Sequence, residues 1–252
     1  MLAAERRSQI SAFLKTEKRV FVGELSRLFD VSEETVRRDL EKLESEGIAL
    51  RTYGGALLNE DERKETPYDT RRRTDVNEKT RIAVKTAELI SDGEYILLDE
   101  SSTAFYVARE LKARKNLTVI TNSMEIVSEI SDVPGWTIHC TGGEKRASAP
   151  SFTGNWAERM LRSYHMDTAI ISCGSLDIEA GFTDRHEDTA LIKKAMMDSA
   201  KRVILAVDHF KFDSVAFASI GTLRDIDMLV TDMKPDERWT EACEKHKIKL
   251  YY

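Results

Sequence analysis

The residues with the most chemistry to offer follow short apolar runs. YILLD leads into Asp99-Glu100-Ser101-Ser102-Thr103, and LTVIT, ending at Thr121, leads into Asn122-Ser123. WTIHC is followed by Thr141-Gly142-Gly143, TAIIS by Cys173-Gly174, and VILAV by Asp208-His209-Phe210-Lys211. Hydroxyls and backbone N–H groups at the start of a helix suit a phosphate, which the helix dipole also favours. Lys211 would add a point charge, and Asp99 and Asp208 could accept from sugar hydroxyls. Each residue also has a plainer role. Ser101, Ser102, Asn122 and Ser123 suit helix N-caps, Gly142-Gly143 suits a turn, Asp208 a structural carboxylate and Lys211 a solvated charge. Glu100, a carboxylate inside the proposed phosphate loop, is expected to point to solvent. Convergence favours the ligand reading, because ligands of an open α/β sheet bind beyond the carboxyl ends of its strands.

A second set lies near the start of the chain. Val36, Leu40 and Leu43 fall on one helical stripe, while Glu34, Thr35, Arg38 and Lys42 point away from it and Arg37 flanks it. An arginine can bind guanine bidentately, and a threonine can contact a thymine methyl or a phosphate. Arg51, Tyr53, Gly54 and Gly55 would form a wing, where a backbone without side chains can approach phosphate. Glu33, Glu34 and Glu41 near the same face count against DNA. A three-helix mini-domain with a solvated charged face, serving only protein contacts, is the plainer alternative.

The elements that must position these residues are readable from periodicity. Ile10, Phe13 and Leu14 predict a helix over roughly 3–16. Leu25, Leu28 and Phe29 mark a second, stopping at Asp30-Val31. Ser32 is placed to N-cap a third, which Gly47 would end. IALRTYGGALL then reads as a hairpin around Gly54-Gly55. A short helix, a tight turn and a second helix with exposed basic and hydroxyl residues is the geometry of a DNA-reading helix-turn-helix. Residues 59–75, polar and charged, with Pro67 and Arg71-Arg72-Arg73, read as a linker.

Beyond the linker, helical patterns alternate with the apolar runs YILLD (95–99), LTVIT (117–121), WTIHC (136–140), TAIIS (168–172), VILAV (203–207) and MLVT (228–231). Such runs predict a parallel sheet covered on both faces, with IKLYY as a candidate edge strand. The fold class is therefore α/β. A winged helix-turn-helix is expected over 1–58 and an α/β domain over 76–252.

Composition narrows the function. The chain has 252 residues, 41% hydrophobic and 33% charged, which suits a soluble globular protein. A net charge of -6 excludes a strongly basic chain, and the first 58 residues hold ten basic and ten acidic residues, so the deficit falls on the rest. No apolar run approaches the roughly 20 residues of a membrane span, and MLAAERRSQI has no signal-peptide core. Cys140, Cys173 and Cys243 are odd in number and scattered, which fits a reducing cytoplasm and neither a disulfide framework nor zinc. Cys140 and Cys173 read as small buried residues and not as nucleophiles. His139, His165, His186, His209 and His246 form no ligand-spaced pair, so neither metal nor cofactor is expected. No G-x-G-x-x-G follows a strand, which weakens a dinucleotide-binding reading.

The stretch VGELSRLFDVSEETVRRDLEKLESEGIALRTYGGA resembles the N-terminal winged helix of the DeoR family of bacterial transcriptional regulators. Val31-Ser32, Thr35, Arg37-Arg38-Asp39-Leu40, Leu43, Gly47, Arg51 and Gly54-Gly55-Ala56 carry the match. Tyr53 departs from it, standing where the family usually has His. The likeness continues through Glu78-Lys79, Ile82-Ala83, LLDESSTA, VITNS, TGG, Gly154, ISCGS, Gly181-Phe182-Thr183, Lys193-Lys194-Ala195-Met196 and VDHFKF, which are similar to the family's C-terminal sensor domain. That domain is related in fold to ribose-5-phosphate isomerase and CoA transferases. The resemblance implies a phosphorylated sugar or sugar-like effector, with ligand loops on Asp99, Ser101, Ser102, Thr103, Thr121, Asn122, Gly142, Gly143, Asp208 and Lys211. Many members have Gly at the position of Ser101.

The leading expectation is thus a cytoplasmic, sugar-phosphate-responsive repressor that binds operator DNA. The alternative is a phosphosugar isomerase, which would have no use for a winged helix. Two-fold operators make an even-numbered homo-oligomer, dimer or tetramer, the default.

Overall fold

The computed structural model describes residues 3–45, 48–59 and 66–252. They divide into two units, Met1–Val76 and Asn77–Tyr252. In the first, α1 (Ala3–Glu17) ends at Lys18, whose φ of 63° turns the chain into β1 (Arg19–Phe21). Helix α2 (Val22–Phe29) follows without a break and closes at Asp30, in the left-handed conformation with its N–H on the Ser26 carbonyl. Ser26 Oγ donates to the Val31 carbonyl at 2.6 Å, which fixes the turn into α3 (Glu33–Ser45). Ser32 takes the expected cap, accepting from Thr35 N at 3.2 Å. The stop assigned to Gly47 lies outside the described residues. Strands β2 (Ala49–Thr52) and β3 (Gly55–Leu58) form the hairpin.

The sheet has a third strand that periodicity did not reveal. Its order is β1-β3-β2, with Val20 opposite Ala56. Ile10, Leu14, Val20, Leu25, Val36, Leu40, Leu43 and Ala56 form one core between helices and sheet. Two expected stripe residues are largely outside it: Leu28 is 60% exposed, and Phe13 is partly exposed and leans on the Phe29 ring. In the stretch read as a linker, residues 60–65 lie outside the described residues. Its second half is built: α4 (Tyr68–Arg73) buries Tyr68, and Asp75 pairs with Lys15.

The second unit opens with α5 (Val76–Glu88), β4 (Tyr95–Leu98), α6 (Ser102–Leu111), β5 (Thr118–Thr121), α7 (Met124–Ile130) and β6 (Thr137–Cys140). A small antiparallel pair, β7 (Glu144–Lys145) and β8 (Phe152–Thr153), precedes α8 (Asn155–Leu161) and β9 (Met166–Ile171). Then come β10 (Ser175–Asp177), β11 (Gly181–Asp184), α9 (Glu187–Asp198), β12 (Ala200–Ala206), β13 (Ala218–Gly221), β14 (Met228–Val230), α10 (Glu237–His246) and β15 (Lys249–Tyr251).

Seven strands make one parallel sheet in the order β15-β14-β12-β9-β4-β5-β6. Strand side chains alternate between its faces. Leu97, Ile120, Ala169 and Leu205 join a core with α8, α9 and α10, whereas Ile96, Leu98, Val119 and Ile204 join another with α5, α6 and α7. Both faces are buried, which is why each strand reads as an unbroken apolar run. IKLYY supplies the edge strand. The strand order reverses between β4 and β9, and a reversal of this kind opens a crevice at the carboxyl ends.

Candidate functional site

On α3, Arg37, Arg38 and Lys42 are exposed, as is the cap Ser32, and Thr35 is half-buried. The two hydroxyls are engaged with each other, Ser32 Oγ lying 2.9 Å from Thr35 Oγ1. The carboxylates that counted against DNA are paired, Glu33 and Glu34 one turn along α3 and Glu41 with the wing. Arg37 meets Glu33 at 2.7 Å and Arg38 meets Glu34 at 3.4 Å. Arg51 reaches Glu41 at 2.7 Å while its N–H donates to Glu44. Exposed pairs of this kind contribute about 0–1 kcal/mol each, so phosphate or a base edge can displace the carboxylate. Asp39 does something else. It is buried and held by Arg6 at 2.5 Å and Arg7 at 3.5 Å, which ties α3 to α1.

Tyr53 stands fully exposed at the hairpin tip beside Gly54, around which space is open. Gly55 is small for a reason internal to the fold. A Cβ there would lie 1.9 Å from the Val20 carbonyl oxygen, so the glycine admits β1 into the sheet.

At the carboxyl edge of the large sheet, Asp99 spans the point where strand order reverses. Fully buried, it accepts from Ser101 N at 3.0 Å and from Ser172 N, just past β9, at 2.9 Å. Both oxygens are therefore committed to shaping loops. Ser101 caps α6 by accepting from Ala104 N, and Ser123 caps α7 by accepting from Ile126 N. Ser102, Thr103 and Thr121 are buried around them, with Thr121 Oγ1 accepting from Ser123 N. Asn122 is no cap: its Nδ2 donates to Glu100 Oε2 at 3.0 Å and to the Phe152 carbonyl at 2.9 Å. Asp208 caps a short 3-10 turn containing Lys211, which is half-buried.

Two expectations are corrected here. Glu100 does not face solvent but is 4% exposed, because Asn122 and the nearby lysine described below offer it partners inside. Cys140, expected to be buried, is exposed at the end of strand β6, which lies at the sheet edge. Cys173 is buried, and burial pushes its thiol up to about 12, too high for a nucleophile at neutral pH. The charges felt at that sulfur come from Lys193, Asp184, Lys211 and Asp208, so the β9, β11, α9 and β12 ends meet there.

Gly142 and Gly143 both have positive φ, at 61° and 108°. A Cβ on Gly143 would come within 2.6 Å of the Thr153 carbonyl and 3.2 Å of Ala157 Cβ, so this glycine lets the chain entering β7 lie against β8 and the start of α8.

The organising group is one that sequence reasoning passed over. Lys193 on α9 is 4% exposed and meets Asp184 at 2.5 Å and Asp99 at 3.4 Å. Burial pulls its ammonium down, but Asp184, Asp99 and Glu100 outweigh that and hold it above its ordinary value. Burial pushes the Glu100 carboxyl up, with Lys193 opposing. A lysine on an amphipathic helix ordinarily reads as solvated, and only α9's seat above the crevice gives it this role. At the opposite end of the sheet lies an open cleft of about 470 Å³, but Arg202 already meets Glu94 at 2.8 Å there and Lys201 meets Asp167 at 2.8 Å.

Comparison with known proteins gives this architecture its relatives. The DeoR-like helix-turn-helix domain matches residues 6–62, and the DeoR C terminal sensor domain matches residues 74–233. The chain belongs to the DeoR family. As a DeoR-family chain it is 38% identical, over 99% of its length and 96% of the relative's, to the HTH-type transcriptional regulator YulB of Bacillus subtilis (strain 168). It is 35% identical, over the same shares, to the HTH-type transcriptional repressor GlcR of that organism. A solved structure, ribose 5-phosphate isomerase from Plasmodium falciparum, aligns at TM-score 0.40 and 15% identity over 54% of this chain and 52% of that one; likeness at that level carries no argument. This DeoR-family chain is a DNA-binding transcriptional regulator with a sensor domain. No helix among its described residues is long and apolar enough to cross a membrane.

Proposed function

We propose that this regulator is a cytoplasmic repressor that reads operator DNA through α3 and the β2–β3 wing and yields to a phosphorylated sugar or sugar-like effector. Ser32, Thr35, Arg37, Arg38 and Lys42 would face the major groove, and Arg51, Tyr53, Gly54 and Gly55 would lie along phosphate. The reader is taken as 1–58, joined through 59–75 to a sensor over 76–252. The observation that carries the reading is the row of exposed arginines on α3, each held only by a weak ion pair that DNA can replace. The name of the relative GlcR supports repression as the sign of control. Two-fold operators favour a homodimer or homotetramer.

The effector would sit on the crevice formed by 99–103, 121–123, 142–143 and 208–211. It would act by binding two arrangements of the protein unequally, since an indifferent ligand shifts nothing. An isomerase needs a free base beside its substrate, whereas Asp99 and Asp184 are engaged by the buried Lys193 and Glu100 by Asn122, so we expect no turnover.

A titration of operator and random duplex across salt concentrations, with and without a phosphosugar, tests all of this. Operator preference that falls when phosphosugar is added supports the repressor reading. Equal affinity for both duplexes at every salt concentration refutes the reader. Loss of the substrate's α-proton to solvent deuterium would promote the isomerase.

A further inference from the structure

Around Asn122 the sensor leaves polar groups whose partners are not supplied by the fold. Glu100 and the Phe152 carbonyl take the Nδ2 of Asn122 at 3.0 and 2.9 Å, which fixes the amide's orientation. Its Oδ1 is buried and has no hydrogen-bond partner, and the same is true of Ser151 Oγ. These two residues are neighbours in the fold. Ser151 forms a β-bridge with Ser123, and Phe152 N donates to the Asn122 carbonyl at 2.9 Å. Buried polar atoms are costly to leave unsatisfied, so two together point to a group that arrives from outside.

Beside them is a buried cation. Arg146 N donates to the Ser151 carbonyl at 2.9 Å, and the Arg146 side chain is only 5% exposed. Its Nε lies 3.3 Å from Asp188, in the first turn of α9, a carboxylate that is itself 46% exposed. A guanidinium presents a planar fork suited to an oxyanion.

We infer that Asn122, Ser151 and Arg146 form a subsite for a ligand carrying a hydroxyl close to an oxyanion, as a phosphorylated polyol does. The ligand hydroxyl donates to Asn122 Oδ1, Ser151 Oγ donates to the oxyanion, and Arg146 supplies the charge. This rests on the effector-site reading above and moves the principal cation from Lys211 to Arg146. It also gives Glu100 a purpose. By occupying an amide hydrogen of Asn122, Glu100 leaves an acceptor facing the ligand, and an acceptor selects a hydroxyl over a fully ionised oxygen.

The test is thermal denaturation of the full chain with glycerol 3-phosphate, ribose 5-phosphate and glucose 6-phosphate, each beside its unphosphorylated counterpart. At least one phosphate ester should raise Tm in the parent where its free alcohol does not. Arg146→Gln should weaken that ligand about tenfold or more, and Arg146→Lys, which keeps the charge and loses the fork, should weaken it too. Ser151→Ala carries the sharper signature. It removes a buried hydroxyl that lacks a partner, so the ligand-free Tm should hold or rise while ligand affinity falls. A purely structural serine would do the reverse. A Tm shift undiminished in Arg146→Gln overturns the subsite and leaves the effector reading standing. If both Arg146 variants fail to fold, unchanged affinity in Ser151→Ala overturns it instead. If no phosphate ester moves the parent's Tm at millimolar concentration, the effector reading fails and the subsite falls with it.

Discussion

On helix α3 of the reader, Arg37 and Arg38 lean on carboxylates one turn away, and every side chain in those pairs is at least 46% exposed. In the sensor, Lys193 meets Asp184 and Asp99 with its own side chain 5% exposed. Both arrangements are cations beside carboxylates, yet their energetics differ. The exposed pairs are screened by water and contribute about 0–1 kcal/mol each, so they exchange partners freely. The buried cluster holds its geometry because removing one member strands the others without solvent. Exposed pairs of the first kind suit the DNA contact proposed for α3, and a buried cluster of the second kind suits a crevice proposed to keep its shape as an effector comes and goes.

The contrast is broken most severely by Lys193→Met. Asp184, Asp99 and Glu100 would then share a buried site with no cation, and the sensor should lose about 3–5 kcal/mol. Denaturant unfolding measures this, and a loss below about 1 kcal/mol would show that the cluster is solvated like the reader's pairs. Next in size is Arg38→Ala, which should cost about 1–3 kcal/mol of operator affinity and relax one base pair of specificity. Its fold stability should stay within about 0.5 kcal/mol, since the residue is exposed. Operator titration beside denaturant unfolding separates the two quantities. A stability loss matching the affinity loss would place Arg38 in the fold and not at the DNA.

A third experiment probes an intermediate case, the half-exposed His209. Its Nδ1 lies 2.8 Å from Asp232, and that hydrogen bond raises the histidine above its ordinary value. Asp232 is lowered, its burial outweighed by the bonds to His209. The histidine's contribution is full below its unfolded pKa of about 6.5 and lost as pH rises through the higher folded value. The aspartate's is full above about 3.9 and lost as pH falls through its depressed folded value. Stability should therefore decline from mildly acidic toward alkaline pH, and His209→Asn should flatten that slope in unfolding curves taken across the range. The smallest effect belongs to Glu33→Gln. It should change stability by less than about 1 kcal/mol and slightly strengthen operator binding by freeing Arg37 from a like-charged competitor of phosphate. Weaker operator binding would mean that the carboxylate positions Arg37 for its contact.

Much of this architecture is legible in the sequence because the large sheet is buried on both faces. A strand such as VILAV must then be apolar at every position, and such runs stand out against the amphipathic helices between them. Strands β10, β11 and β13 escape notice for the opposite reason. SLD, GFTD and ASIG are short and mixed, and they pair antiparallel outside the main sheet. RVF escapes because three residues carry no period. The crevice was legible as a place, since strand ends are marked by the change from apolar to polar. Its internal wiring was not. Whether Asn122 caps a helix or reaches Glu100 depends on Phe152, thirty residues away, and whether Lys193 is solvated depends on what α9 covers.

The short strand β1 has a consequence for how the reader comes into being. Arg19–Phe21 runs directly into α2, yet its partner is β3, Gly55–Leu58, beyond both α2 and α3. Lys18 and Gly54 extend the seam, with Leu58 N on the Lys18 carbonyl and Val22 N on that of Gly54. The wing is thus no appendage that can fray by itself. Closing it means bringing together segments separated by both helices of the helix-turn-helix, a loop-closure cost met only when the intervening helices are already packed. The reader should accordingly open as a single cooperative unit, with the amides of Val20 and Ala56 exchanging hydrogen no faster than those in the middle of α3.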